Sequence, residues 1–222
     1  MIEVLQHDEH YWAVDKPPGI LVHRTPMSGD RTALHQLLTE QLGERLFGVH
    51  RLDRAASGVL LFARSSEGAR ALHDAVRAAS TVKEYLVCVR DHAPPEFVID
   101  RPLKGRSGEP QPARTECTRL ATVDRHSLLR VRTRTGRRHQ IRRHLEREAH
   151  HVLGDTSHGK GRINAYLREH YGLPRMFLHA WRLAFFDPWT GCRIELRAPL
   201  AEDLRAFLLR LPGADRDLVA SL

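Results

Sequence analysis

His50-Arg51-Leu52-Asp53-Arg54-Ala55-Ala56-Ser57-Gly58 sets a single carboxylate between two arginines, and the apolar run Val59-Leu60-Leu61-Phe62-Ala63 follows without a break. Consecutive apolar residues behind the turn formers Ser57 and Gly58 predict a buried strand. Asp53 then falls in a loop at a strand end, where scaffolds commonly display reactive groups. Arg51 and Arg54 favour its ionised form at neutral pH, because nearby positive charge stabilises a carboxylate. Taken alone, Arg-x-Asp-Arg is most often a surface ion-pair cluster. The rest of the chain has to decide.

Working outward, Ile2–Gln6 and Tyr11–Val14 read as short strands, and Pro17-Pro18-Gly19 ends them, since proline fixes φ and removes a ladder donor. Thr32 is placed to cap a helix with Leu34, Leu37, Leu38 and Leu42 on its apolar face. Ala69, Leu72, Val76 and Ala79 repeat at helical spacing after the central strand. Val82 to Val89 predicts a strand carrying Tyr85. Residues 104–112, rich in Gly, Ser and Pro, read as a flexible loop. A strand over 127–133 leads through Thr135-Gly136 into a helix over 138–148, with Ile141 and Leu145 inward. Phe177 to Phe186 and Arg193 to Leu196 predict a closing hairpin, and Leu204, Phe207, Leu208 and Leu211 a last helix. Intermixed strands and helices make this an α/β or α+β sheet protein.

Several words resemble, in order, those of the RluA-type RNA pseudouridine synthases. The central stretch is similar to the family's catalytic loop, HRLDxxTSGxLLxA, with Ala56 where the family usually has Thr. Asp15-Lys16-Pro17-Pro18-Gly19 with Val22-His23 resembles its KPxG and VH segment, and Lys83-Glu84-Tyr85 its KxY motif. Thr135-Gly136-Arg137-Arg138-His139-Gln140-Ile141-Arg142-Arg143-His144-Leu145 resembles TGRxHQIRxHL. Leu153-Gly154-Asp155 and Leu178-His179-Ala180 match two further words. The resemblance spans about residues 2 to 200. It implies the pseudouridine synthase fold, a largely antiparallel mixed sheet in two lobes with a central RNA-binding cleft. Residues 1–222 are expected to form one catalytic domain with no separate N-terminal RNA-binding domain.

The resemblance also assigns roles. Asp53 is the essential carboxylate, Arg142 the arginine that pairs with it, and Tyr85 the ring that stacks on the flipped uracil. Arg51 helps displace the target base. Arg54, Lys83, Arg137, Arg138 and Arg143 are expected to contact RNA, largely through phosphates that position it without reading sequence. A carboxylate suits the reaction, since it can attack a sugar or base carbon and leave again, or stabilise positive charge at C1′. The segment Leu153 to Asn164 followed by Tyr171 to Ala180, with Pro110-Gln111-Pro112-Ala113, looks most like the tRNA pseudouridine synthase C subgroup, which modifies uridine 65 of tRNA. An rRNA-modifying member of the family is the alternative, and a non-catalytic RNA-binding protein on the same scaffold the rival from another class.

Composition agrees with an RNA partner. The chain has 222 residues, 41% of them hydrophobic and 28% charged, with a net charge of +8. A sequence pI near 10.0 favours a polyanion. Only Lys16, Lys83, Lys104 and Lys160 are lysines, so arginine carries the charge. Arg130, Arg132, Arg134, Arg137, Arg138, Arg142 and Arg143 follow one another with no acid between them. Cys88, Cys117 and Cys192 suggest neither a disulfide framework nor a metal pair, and are expected to be buried free thiols in a reducing cytoplasm. No apolar run approaches the roughly 20 residues that span a bilayer. Gly154-Asp155-Thr156-Ser157-His158-Gly159-Lys160-Gly161 nearly matches a phosphate-binding loop, but Gly161 stands where a hydroxyl is needed. The histidines lack zinc spacing. The expectation is a cytoplasmic monomer without metal, cofactor or membrane partner.

Overall fold

Ser57–Ala63 is a strand with every residue buried in the computed structural model, which describes residues 1–23, 32–105 and 107–222. Its sequence does not alternate because both faces are covered. Val59, Leu61 and Ala63 join Leu72 and Val76 of the next helix in one core cluster. Phe62, on the opposite face, lies beside His23 and His35, with ring centroids 6.4 and 6.2 Å away. A strand covered on one side only would show a period of two.

In chain order the first elements are β1 (Glu3–His7), β2 (Tyr11–Lys16), α1 (Leu34–Leu42), β3 (Phe47–Gly48), β4 (Ser57–Ala63) and α2 (Ser66–Arg77). There follow β5 (Val82–Arg90), β6 (Glu96–Asp100), β7 (Leu103–Lys104), β8 (Pro110–Gln111), β9 (Arg114–Val123) and β10 (His126–Thr133). The order closes with α3 (Gln140–Arg147), α4 (Gly161–Tyr171), β11 (Leu178–Phe186), β12 (Arg193–Arg197), α5 (Glu202–Arg210) and α6 (Arg216–Ser221). The chain divides into two compact units. Unit 1 is Met1–Val82 with Ala180–Ala198, and unit 2 is Lys83–His179 with Pro199–Leu222.

In unit 1, β2 pairs antiparallel with β1 and β4, β3 with β4, and β11 with β12. Gly58 has φ 110, and a side chain there would collide with the Ala180 carbonyl, so the glycine before the apolar run is required. The α2 helix is capped by Ser65, whose Oγ accepts from the Gly68 N–H at 2.9 Å. It ends at Arg77, so Ala79 lies beyond it. The α1 cap is Ala33 rather than the expected Thr32. There the Gln36 side chain reaches back to accept from the Ala33 N–H at 3.0 Å, so the capping hydrogen bond comes from inside the helix.

In unit 2, β5, β10, β9 and β6 are neighbours in that order, all antiparallel. Segment 104–112 is more ordered than its composition suggests. β7 pairs with β8 through Leu103↔Gln111 and Lys104↔Pro110, with buried Leu103 as anchor, while Arg106 lies outside the described residues. The arginine run is also less uniform than its sequence. Glu116 on β9 holds both Arg114 and Arg134, at 3.3 and 3.2 Å, and Arg132 stands across from Glu84 and Glu116. The acids absent along the chain come from neighbouring strands. Cys88 and Cys117 are buried, whereas Cys192 is exposed in the turn between β11 and β12, contrary to expectation. Among the described residues no helix is long and apolar enough to cross a membrane.

Candidate active site

Asp53 sits in unit 1, half-buried, immediately before a tight turn. Its carbonyl accepts from the Ala56 N–H at 3.1 Å, closing Asp53-Arg54-Ala55-Ala56 on itself. The loop is braced from below by Lys16, which is 0% exposed. Lys16 pairs across β2 and β4 with Gly58, so its side chain runs past the strand end into the loop. There Nζ donates to the carbonyls of Ala56 at 2.7 Å, Pro17 at 2.8 Å and Arg54 at 3.2 Å. A second tie joins the same two segments. The Gly19 N–H donates to the Arg54 carbonyl at 2.8 Å, and Arg54 Nε donates back to the Gly19 carbonyl at 2.9 Å. These bonds give the Lys-Pro-Pro-Gly word its purpose: it holds the backbone on which Asp53 is mounted. The brace grips the Ala56 carbonyl, which alanine and threonine share. Arg51 and Arg54 are exposed on either side of the acid.

Arg142 sits in unit 2 on α3. The start of this helix is fixed by Gln140, which is buried and fully used. Its Oε1 accepts from Thr135 Oγ1 at 2.7 Å and the Arg137 N–H at 3.0 Å. Its Nε2 donates to the Arg114 carbonyl at 3.0 Å and Thr115 Oγ1 at 3.1 Å. One turn on, the His144 ring bonds Thr115 Oγ1 and the Arg101 carbonyl, both at 2.9 Å, and burial lowers its pKa. The α3 helix is thereby bolted to β9 by polar side chains at i and i+4, with Ile141 and Leu145 buried beside them.

The Arg142 guanidinium is buried and meets a carboxylate two-pronged. Nε donates to Asp155 Oδ2 at 2.6 Å and Nη2 to Asp155 Oδ1 at 2.8 Å. Asp155 Oδ1 also accepts from the Ser157 and His158 N–H groups at 2.8 and 3.0 Å. Burial pushes the Asp155 pKa up, but Arg142 and these N–H donors outweigh it and hold the carboxyl below its usual range. Asn164 of α4 locks the loop from behind, accepting from the Gly154 N–H and donating to the Asp155 carbonyl, both at 2.9 Å. The near phosphate-loop sequence is therefore folded around an acid of its own. His158 adds a bond from Nδ1 to Glu146 Oε2 at 2.8 Å.

Tyr85 is half-buried on β5, in a cross-strand row with Val131 and Cys117. Thr115, bonded to α3, shares that face of β9 with Cys117, so α3 covers the sheet face that carries Tyr85 and, two residues earlier, Lys83. Arg137, Arg138 and Arg143 surround the beginning of α3. Arg137 Nε donates to the Pro112 carbonyl at 3.0 Å and Arg143 Nη1 to the Lys104 carbonyl at 3.2 Å. Carbonyl partners leave both charges unneutralised, and among the described residues Arg138 makes no ion pair. Unit 2 thus gathers Tyr85, Lys83, Arg137, Arg138, Arg142 and Arg143, while unit 1 carries Arg51, Asp53 and Arg54. Lys16, Gln140, Asp155 and Asn164 lie inside recognisable words but had no chemical role in the sequence. Only the fold shows what their side chains hold.

Residues 10–147 match the family model described as RNA pseudouridylate synthase. The chain is 36% identical to a tRNA pseudouridine synthase C of Vibrio vulnificus over 244 aligned positions, covering 100% of both chains. It is 39% identical to one of Pasteurella multocida over 220 positions, covering 89% of this chain and 90% of the other. In fold it resembles human RNA pseudouridylate synthase domain containing 4, with a TM-score of 0.77, 22% identity, and coverage of 96% of this chain and 95% of that one.

Proposed function

The chain belongs to the RNA pseudouridylate synthase family and is an isomerase that converts uridine to pseudouridine in RNA, and we propose that its substrate is tRNA, modified at uridine 65. The likeness to tRNA pseudouridine synthase C over the whole of both chains carries this reading. In the reaction the C1′–N1 bond breaks, the uracil turns, and C5 joins C1′. Every atom returns to the product and no redox change occurs, so the chemistry balances without a cofactor.

In this reading Asp53 is the carboxylate that acts at the sugar or the base. Arg142 orients and balances that acid, and is itself positioned by Asp155. Tyr85 supplies a flat face for a base taken out of its stack. Arg51 takes the space the base leaves. Arg54, Lys83, Arg137, Arg138 and Arg143 hold phosphates, Arg54 while its Nε keeps Gly19. Residues 1–222 would act as one catalytic domain, as a monomer in the cytoplasm.

Mapping pseudouridines in total RNA from cells with and without the protein tests the substrate. Loss of one tRNA site, at position 65, is expected. Loss confined to rRNA would transfer the assignment to rRNA.

Lys16 supports this function from beneath. Lys16→Met keeps the length of the side chain and removes its three donors. The carbonyls of Arg54 and Ala56 then lose a buried partner, at a cost of about 1–3 kcal/mol. A loop displaced by about 1 Å can cost on the order of a hundredfold in rate. Single-turnover kinetics should show such a fall while RNA affinity stays close to normal. An unchanged rate would mean that Asp53 is held by other contacts.

A further inference from the structure

The α4 helix buries Asn164 and Leu167 and presents a different face to solvent. Arg162, Tyr166 and His170 are exposed there at intervals of four, so they form one stripe. Tyr166 is 49% exposed. The His170 ring stacks on it with centroids 4.2 Å apart and planes 24° from parallel. His170 Nδ1 donates to the Tyr166 carbonyl at 3.0 Å, which fixes the imidazole in that pose. Tyr171 meets Tyr166 edge-on at 6.2 Å. Arg162 makes no ion pair among the described residues. Glu169 is the one acid within the helix.

A ring half in water adds little to a core, and its neighbours hold it in a fixed pose, with His170 covering one face. A flat aromatic surface with the Arg162 guanidinium one turn away matches the two parts of an unpaired nucleotide, a base to stack and a phosphate to neutralise. The stripe is also in fixed register with Arg142. Asn164, on the buried side of the same helix, bonds the Gly154 N–H and the Asp155 carbonyl, and Asp155 holds Arg142.

We propose that the Arg162–Tyr166–His170 stripe of α4 docks the substrate RNA away from the target uridine, stacking one unpaired base on Tyr166 and holding a neighbouring phosphate through Arg162. This deepens the tRNA reading and rests on it. Affinities for an unmodified tRNA transcript and for a stem-loop bearing only the target uridine, read by fluorescence anisotropy, test it. Pseudouridine formation is followed on the same samples. Tyr166→Ala should raise the Kd for tRNA about tenfold, as loss of one stacked base does. It should leave the stem-loop Kd and the rate at saturating RNA unchanged. Tyr166→Trp, which keeps a flat ring, should restore affinity. Arg162→Gln should reduce the slope of log affinity against log salt by roughly 0.7–0.9.

An unchanged tRNA Kd in Tyr166→Ala overturns the proposal and leaves the stripe to a partner other than RNA. Equal weakening on the stem-loop also overturns it, because the stripe would then lie at the target uridine. If Tyr166→Ala loses tRNA but the unaltered protein forms no pseudouridine, docking stands and the functional reading falls.

Discussion

Asp53→Asn is expected to lower the single-turnover rate of pseudouridine formation by about three orders of magnitude or more while the fold persists. The amide has the shape of the carboxylate without its charge. It can neither attack carbon as a nucleophile nor stabilise positive charge developing at C1′. Such a loss falls on the chemical step, so it should appear in the rate at saturating RNA rather than in affinity. The turn that carries residue 53 is closed by its backbone carbonyl and braced through the carbonyls of Arg54 and Ala56, all of which the variant keeps. Thermal and denaturant midpoints should move little. A near-normal rate in a folded Asp53→Asn protein would remove Asp53 from the chemistry.

The largest effect on stability is expected at Asp155. Asp155→Asn retains an oxygen for the Ser157 and His158 N–H groups but withdraws the charge from Arg142. Removing one member of a buried ion pair costs about 3–5 kcal/mol, a large part of a domain's total stability. Urea unfolding would measure this loss. Adding Arg142→Met should recover part of it, giving a coupling energy of about 0.5–3 kcal/mol, but should not recover activity. Strictly additive losses would show that the two-pronged pair is energetically idle. The pair also has a definite pH dependence. The folded-state pKa of Asp155 lies below its unfolded value, so its contribution is complete at neutral pH. It fades as pH drops from about 3.9, the ordinary aspartate value, through the depressed folded value. The Asn variant should lack that component of acid sensitivity.

The parts of this molecule that could be read from sequence are those whose signal is local. β4 announced itself because helices cover both its faces, leaving no polar position in Val59–Phe62. α3 was legible from the inward spacing of Ile141 and Leu145, and the words around Asp53, Tyr85 and Arg142 from their resemblance to family motifs. α4 was not, since it buries only two residues and begins inside a glycine-rich stretch that imitates a nucleotide loop. β6 and β9 escaped because their polar residues, as in the Asp100–Arg114–Glu116 set, find partners across strands that the sequence does not link. The run from Arg130 to Arg143 looked uniformly cationic because its balancing acids arrive on other strands. Asp155, which meets Arg142, stands 13 residues further along, across a loop, and no periodicity links the two.

The grip of Lys16 on the loop beneath Asp53 bears on how this enzyme can drift. Carbonyl oxygens are common to all residues, so a loop held through them is blind to the side chains it displays, within the room available. Exchange at the half-buried position 55 can accumulate without touching the attitude of the acid. The variability that neighbouring positions tolerate is concentrated as intolerance at one buried lysine. Random mutagenesis under selection for activity should therefore return many sequences at 55 and very few at 16.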